Sequence, residues 1–335
     1  MLMILLLLIC QPQQPETQLN ASKTNWQNDE LRHMGEVGWF LGVRVLRDRP
    51  NKKLWLCQDS YIEHLAARFH QNGLTKWPET PLASSNDLSP NQCQATEAQI
   101  KEYQTKIGSI QYTAVLTRPD IAYAVSRLSE ALKNPSPAHI QAANRVIAYL
   151  YATRFLAIEY SGNPTSKEVV MIASDAAFAD RPDRRSTAGY LCKLYDGPIE
   201  WKSGKQRAVT TSTTEAEYLA LSDAAKASYW WKRVFNTMGF DPQHQIMVYC
   251  DNQQTINMLT SENIEQRSKL RHVDIHRSWL RQEVQEGRLH VKWIPTNRMI
   301  ADGLTKSLTA QKHHEFVRML NLVDVKDLIL SQEGN

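Results

Sequence analysis

From Thr213 to Phe235 the chain reads T-T-E-A-E-Y-L-A-L-S-D-A-A-K-A-S-Y-W-W-K-R-V-F, and no other stretch constrains the fold as strongly. Ala220, Ala224, Ala227, Trp231 and Val234 recur at helical spacing, which predicts a long helix with one buried face. Glu217 falls on that apolar stripe. Glu215 lines up with Ser222, Lys226 and Arg233 and is expected to face solvent. A carboxylate on a buried face is unfavourable unless something pairs with it, and a metal ion is one such partner. The competing account is a Glu near a helix start, bonding the free N–H groups of the first turn.

The segments around this helix alternate between strands and short helices. Glu168–Phe178 reads as a strand, apolar on both faces up to Ser174, and Ser186–Tyr195 as a second. Asp196-Gly197-Pro198 turns into a third, Ile199–Lys202. After the long helix, Gln245–Cys250 is a strand running into Asp251, Thr255–Leu259 a short helix, and His272–Glu286 a helix closed by Gly287. Leu289–Ile294 is a strand, Pro295–Arg298 a loop, and Met299 begins the last helical region. Asp175 and Asp251 therefore each end a strand, at the edge where open α/β sheets place ligands. Asp302 opens a helix in I-P-T-N-R-M-I-A-D-G-L-T-K. Either Asp alone also suits a helix cap. With Glu217 they make four carboxylates on four elements. That set suits a pair of magnesium ions about 4 Å apart acting on a phosphodiester.

Upstream the pattern differs. Val37–Leu46 and Lys53–Cys57 read as a hairpin around Asp48-Arg49-Pro50-Asn51. Ser60–Phe69, Glu97–Leu116 (interrupted near Gly108), Pro119–Leu132 and Pro137–Thr153 read as helices, and Leu156–Tyr160 as a short strand. Trp77–Asn91 is a connector. The run M-L-M-I-L-L-L-L-I-C is too short to span a bilayer and lacks a basic lead-in or a cleavage site, so it reads as a buried strand or as a strand whose partners are missing.

Composition decides little by itself. The chain has 335 residues, 42% of them apolar, and a net charge of only +4, so it is globular and long enough for two domains. Its basic residues cluster, at Arg181/Arg184/Arg185, Lys202/Lys205/Arg207 and Arg267/Lys269/Arg271/His272, flanking the acids and suiting a polyanion. A solvated surface would fit each cluster singly. The five scattered cysteines contain no C-x-x-C pair, so neither a disulfide framework nor a zinc site is indicated, and a reducing, intracellular setting (cytoplasm or nucleus) is expected.

Four separated motifs, S-D-A-A-F-A-D-R-P-D-R-R-S-T-A-G-Y, T-S-T-T-E-A-E-Y-L-A-L, Y-C-D-N-Q-Q-T-I and A-D-G-L-T-K, occur in order between about Glu168 and Leu322. Together with R-H-V-D-I-H-R-S-W-L-R-Q-E-V they closely resemble the ribonuclease H domain at the end of the Pol polyprotein of copia-type LTR retrotransposons. W-F-L-G-V-R-V, L-C-Q-D-S-Y-I-E-H-L, I-G-S-I-Q-Y and T-R-P-D-I-A-Y-A-V-S look like the reverse transcriptase tail and its connection.

The resemblance implies an α/β fold. It would have a ribonuclease H-like mixed five-stranded sheet with flanking helices, three antiparallel strands first and two parallel ones later, preceded by a small α+β reverse transcriptase remnant. The expected divisions are 1–36, a poorly matching N-terminal segment; 37–153, reverse transcriptase tail and connection; 154–325, ribonuclease H-like domain; and 326–335, a tail. Exposed apolar surface is expected at 1–10 and 37–57, where a palm would pack.

It further implies metal-dependent cutting of the RNA strand of RNA–DNA hybrids. Asp175, Glu217, Asp251 and Asp302 would be the catalytic metal ligands, and magnesium the ion, with manganese as the alternative. Asn252 and Gln253 would touch the nucleic acid backbone, and Lys202, Lys205, Arg267 and Lys269 its phosphates. An RNA–DNA hybrid is the expected partner. A separate reverse transcriptase polypeptide is a further one, and no membrane is. Polymerase activity is expected to be absent, because a Y-V-D-D-type acid pair would lie upstream of Met1. The chain departs from the family pattern at Ala177, where a second Asp is usual, and at Phe178, where Trp is common. It also has no His in Pro295–Arg298. A non-catalytic relic that only binds nucleic acid is the other reading. An integrase is disfavoured by the order Asp, Glu, Asp, Asp.

Overall fold

A computed structural model describes residues 37–83, 88–164, 168–181, 183–242, 245–261 and 271–333. The apolar run 1–10, Arg267 and Lys269 lie outside the described residues.

The chain enters through β1 (Trp39–Phe40), β2 (Val43–Asp48) and β3 (Lys53–Cys57). The single strand expected over Val37–Leu46 is split in two by a turn in which Leu41 and Gly42 both take positive φ. Four helices follow: α1 (Asp59–Arg68), α2 (Glu97–Leu116), α3 (Ala122–Ser129) and α4 (Pro137–Ala152). Capping boxes at Thr96 and Ser136 satisfy the first N–H groups of α2 and α4. The helix α2 runs unbroken through Gly108, contrary to the expected interruption. A Cβ there would meet nothing within 4 Å, so this glycine lies on an open face. Ile62, Tyr103, Ile110, Val125, Leu128, Val146 and Ile147 close the four helices into one apolar cluster. Then β4 (Leu156–Ser161) returns to pair with β3.

The next segment folds as β5 (Val170–Ala177), β6 (Thr187–Leu194), β7 (Gly197–Lys205), α5 (Thr213–Thr237), β8 (Met247–Cys250), α6 (Gln253–Thr260), α7 (Arg271–Gln285) and β9 (His290–Trp293). Two short 3-10 turns, Thr296–Arg298 and Ile300–Leu304, lead to α8 (Ala310–Met319), β10 (Leu322–Asp324) and α9 (Lys326–Glu333).

The first sheet has the order β1-β2-β3-β4-β10, all antiparallel, and the second the order β7-β6-β5-β8-β9. In the second, β5, β6 and β7 pair antiparallel while β8 joins β5, and β9 joins β8, in parallel. This is the ribonuclease H-like mixed sheet that the motifs implied. The strand β4 lies within 154–325 yet belongs to the first sheet, between β3 and β10. The sheets share one core: Val43, Leu54 and Ile158 of the first pack with Ile172, Leu191 and Val248 of the second. Tyr160 OH also donates to Pro198 O at 2.7 Å.

That shared core corrects the expectation of an exposed hairpin at 37–57. Val43, Val45, Leu46, Leu54, Trp55, Leu56 and Cys57 are buried, and Val37, Trp39 and Leu41 are the exposed apolar residues of that range. The opposite face of the first sheet is covered by Val325 and Ile329. No helix among the described residues is long and apolar enough to cross a membrane.

Candidate active site

The helix α5 packs on β5 and β6 through the predicted stripe. Ala220, Ala224, Ala227 and Trp231 are buried, with Phe235 a turn further on. Each fully buried large ring contributes roughly 1.5–3 kcal/mol, which fixes the helix against the sheet. Glu217 is carried inward by that packing and is 5% exposed.

Glu215 does not face solvent, as its position on the polar side had suggested. It is buried, and its Oε2 accepts from the backbone N–H of Thr211 at 2.6 Å and from Thr211 Oγ1 at 2.7 Å. Ser212 caps the same turn by accepting from Glu215 N. The helix-start role considered for Glu217 thus belongs to Glu215. Further along that polar side α7 packs against the helix, with Ser222 Oγ bonding His276 Nδ1 at 2.8 Å and Tyr229 OH donating to Glu283, while Lys226 and Arg233 are exposed as expected.

The four predicted acids meet at one end of the second sheet. Asp175 is near the C-terminal end of the central strand β5 and is 7% exposed. Asp251 follows β8 directly, so parallel pairing of β8 with β5 brings the two ends side by side. One oxygen of Glu217, Cys250 Sγ and one oxygen of Asp251 lie within 4.8 Å of one another. Asp302 sits in the second 3-10 turn, which packs against β5 and β6, and its Oδ1 is paired with Lys306 Nζ.

Hydroxyls orient two of these carboxylates. Thr305 Oγ1 donates to Asp175 Oδ2 at 2.5 Å, and Thr296 Oγ1 to Asp251 Oδ2 at 2.8 Å. The half-exposed Trp293 adds an Nε1–H bond to Asp251 O at 3.0 Å. The sequence reading missed Thr305 and Trp293 as site residues. Thr305 belongs to A-D-G-L-T-K, and Trp293 ends the strand beside Asp251.

The approach of the Asp302 turn depends on missing side chains. Gly189 sits opposite Asp175 in the β5–β6 register. A Cβ on it would come within 2.7 Å of Leu304 Cβ and 3.1 Å of Thr305 Cγ2. Gly303 lies flat on Phe316, whose ring a Cβ would meet at 2.6 Å.

Crowding of like charge is visible in the titration behaviour. Burial, with added repulsion from Asp302 and Asp251, pushes the Asp175 carboxyl up to about 6 despite the Thr305 bond. Burial and the charges of Asp175 and Asp251 hold Glu217 well above the ordinary carboxylate range, against the pull of the Ala176 N–H. A group of buried acids this unfavourable alone fits a divalent cation, which would remove the repulsion. The donors are carboxylate oxygens, as hard cations require. Burial also pushes the Cys250 thiol up, so it stays protonated and outside such a hard ligand set.

The nucleic-acid candidates are placed less uniformly. Asn252 caps α6, its side chain accepting from Thr255 N at 3.0 Å, and Gln253 Nε2 donates to Asn257 Oδ1. Lys202 Nζ pairs with Asp223 at 2.8 Å, and Lys205 Nζ with Asp183 at 2.5 Å. Arg181, counted in a surface basic cluster, is instead 2% exposed and pairs with Glu130 and Asp180. It braces the β5–β6 connection against α3.

No family model matches the chain. It is 35% identical over 289 residues to the retrovirus-related Pol polyprotein from transposon TNT 1-94 of Nicotiana tabacum, covering 84% of this chain and 21% of that protein. It is also 35% identical over 303 residues to the Pol polyprotein from transposon RE1 of Arabidopsis thaliana, covering 89% of this chain and 20% of that one. The chain thus spans about a fifth of the length of these two relatives. Among solved structures it is similar to a ribonuclease H1 isolated from compost, LC11-RNase H1. The TM-score is 0.32 and the identity 16%, with 41% of this chain and 93% of that one covered.

Proposed function

Because the chain belongs to the copia-type, retrovirus-related transposon Pol polyproteins, we propose that its ribonuclease H-like domain is a metal-dependent nuclease cutting the RNA strand of RNA–DNA hybrids. The observation that carries this reading is the convergence of Asp175, Glu217, Asp251 and Asp302 from four separate elements at one sheet end.

In this reading the four carboxylates hold magnesium or manganese. A metal held there would supply an activated water and charge stabilisation for the leaving oxygen of the phosphodiester. The chain's own residues prepare that chemistry. Thr305 and Thr296 fix the directions in which Asp175 and Asp251 present their oxygens. Glu217, on the rigid α5, completes the flank of the site toward Asp251. Lys306 balances Asp302 until a substrate phosphate arrives.

The hybrid would lie across the sheet end, read by its shape and by the 2′-hydroxyls of the RNA strand. Asn252 and Gln253, at the start of α6, stand next to Asp251 and would face its backbone. Lys202 and Lys205 would contact phosphates by exchanging Asp223 and Asp183 for them. Arg267 and Lys269 would extend that contact.

The test is incubation of the full chain with a hybrid labelled separately on each strand, in magnesium, beside an Asp251→Asn protein. Cleavage of the RNA strand alone, abolished by chelator and by the substitution, is expected. An intact RNA strand in the presence of folded protein, or cutting of both strands, refutes the reading.

A further inference from the structure

The motif T-R-P-D-I, residues 117–121, has no part in the chemistry above, yet its charged pair is completely enclosed. Arg118 and Asp120 side chains are 0% exposed and bond twice, Nε to Oδ1 at 2.9 Å and Nη2 to Oδ2 at 2.7 Å. Arg118 also donates to Thr153 O at 2.9 Å and to Thr153 Oγ1 at 2.7 Å, closing the end of α4. Tyr149 OH donates to Asp120 Oδ2 at 2.7 Å.

His313 Nε2 lies 2.9 Å from the same Tyr149 hydroxyl. The tyrosine proton points at Asp120, so the imidazole must donate its Nε2–H. Burial pushes the His313 imidazole down to about 4, so it is neutral at pH 7 and keeps this tautomer.

His313 stands on α8 one turn before Phe316, the ring on which Gly303 rests. Gly303 adjoins Asp302. From the other side, Gly189 lets Leu304 and Thr305 reach the sheet. The turn carrying Asp302 is therefore gripped between β6 and α8. The end of that grip on α8 is anchored by a buried, hydrogen-bonded polar chain running back to Arg118. A buried ion pair is seldom the most stabilising way to fill a core; its best-attested use is to select one geometry.

We propose that T-R-P-D-I, acting through Tyr149 and His313, is a positioning device for Asp302, so that the upstream helices set the geometry of the fourth carboxylate. The part of this inference that concerns an ion rests on the metal-site reading above.

The test uses the full chain with Tyr149→Phe, His313→Leu and His313→Gln. The glutamine amide can still donate to Tyr149 and serves as the conservative rescue. Two readouts are taken: hydrogen exchange of the peptide covering 299–309, and Mn2+ affinity from the paramagnetic resonance of free ion, with Asp251→Asn as reference. Tyr149→Phe and His313→Leu should exchange about tenfold faster in that peptide, with β5 and β8 unchanged. Both should bind Mn2+ about tenfold more weakly, and His313→Gln should recover both values.

Unchanged exchange overturns the proposal, and so does faster exchange with unchanged Mn2+ affinity. If the parent protein and Asp251→Asn bind Mn2+ alike, the metal-site reading has failed on its own. The exchange data then still decide whether the motif holds the segment.

Discussion

Two glycine-to-alanine substitutions in adjacent strands should have opposite signs. Gly189 in β6 and Gly204 in β7 differ in what a Cβ would meet. At Gly189 it would come within 2.7 Å of Leu304 Cβ and 3.1 Å of Thr305 Cγ2, while at Gly204 nothing lies within 4 Å. Neither glycine has a positive φ, so alanine is allowed by the backbone at both. Alanine in a compatible conformation stabilises by about 0.4–1 kcal/mol, chiefly by restricting the unfolded chain. Gly204→Ala should show that gain.

At Gly189 the obstacle is a Cβ of the neighbouring turn and not the end of a flexible side chain, so the turn itself must move. Overpacking of this kind costs about 1–3 kcal/mol, which less the entropic gain of about 0.4–1 kcal/mol leaves roughly 0–2.6 kcal/mol of net destabilisation, centred a little above about 1. The displacement also pulls Thr305 away from Asp175, so hybrid cleavage by Gly189→Ala should fall while Gly204→Ala keeps the parent rate. Equilibrium urea unfolding followed by fluorescence and circular dichroism measures both stabilities, provided the two probes coincide. Midpoints moving in the same direction, or a more stable Gly189→Ala protein, would refute the close-approach argument.

Asp251→Asn should abolish cleavage and yet raise the melting point in chelator, by the equivalent of about 1 kcal/mol, because it relieves repulsion on Asp175 and Glu217. Magnesium should reverse that order, since an ion at a hundred times its Kd adds about 2.7 kcal/mol to the parent alone. A variant less stable than the parent in chelator would argue against a repulsive cluster. His313 gives a pH signature. Its imidazole is held down at about 4 in the fold against 6.5 when free, so the unfolded chain takes up the proton first. Its contribution is intact above pH 6.5 and is lost as pH falls toward 4, by up to about 3 kcal/mol. Asp175 works in the opposite sense, so the quantity to plot is the parent minus His313→Gln, and a flat difference from pH 7 to 4 would count against the assignment.

Glu217 is legible in the sequence because 3.6-residue periodicity reports the main buried stripe directly. The same periodicity misplaces Glu215, because it says nothing of the turn before the helix, where Thr211 folds back onto that carboxylate. Asp175 and Asp251 were legible as strand ends, which local sequence shows. Partner choice was not: Leu156–Tyr160 read correctly as a strand, but its placement between β3 and β10 depends on residues far away in sequence. The three-residue β10 carries too little pattern to be seen at all. Arg181 looked like one more surface cation, since composition does not reveal that Glu130 waits beside it. The roles of Gly189 and Gly303 were hidden because a glycine chosen for close approach looks like any other until its neighbours are known.

The pairing of Ile158 with Leu322 has a consequence for synthesis on the ribosome. The β4 edge that receives the last strand emerges some 164 positions before its partner, the difference between those two residue numbers. At about 5–20 residues per second that is roughly 8–33 s during which a hydrogen-bonding edge stands open while the entire second sheet is being made. Nascent chains stalled within that window should be the ones most prone to pair with each other, and the emergence of Leu322–Asp324 ends the hazard.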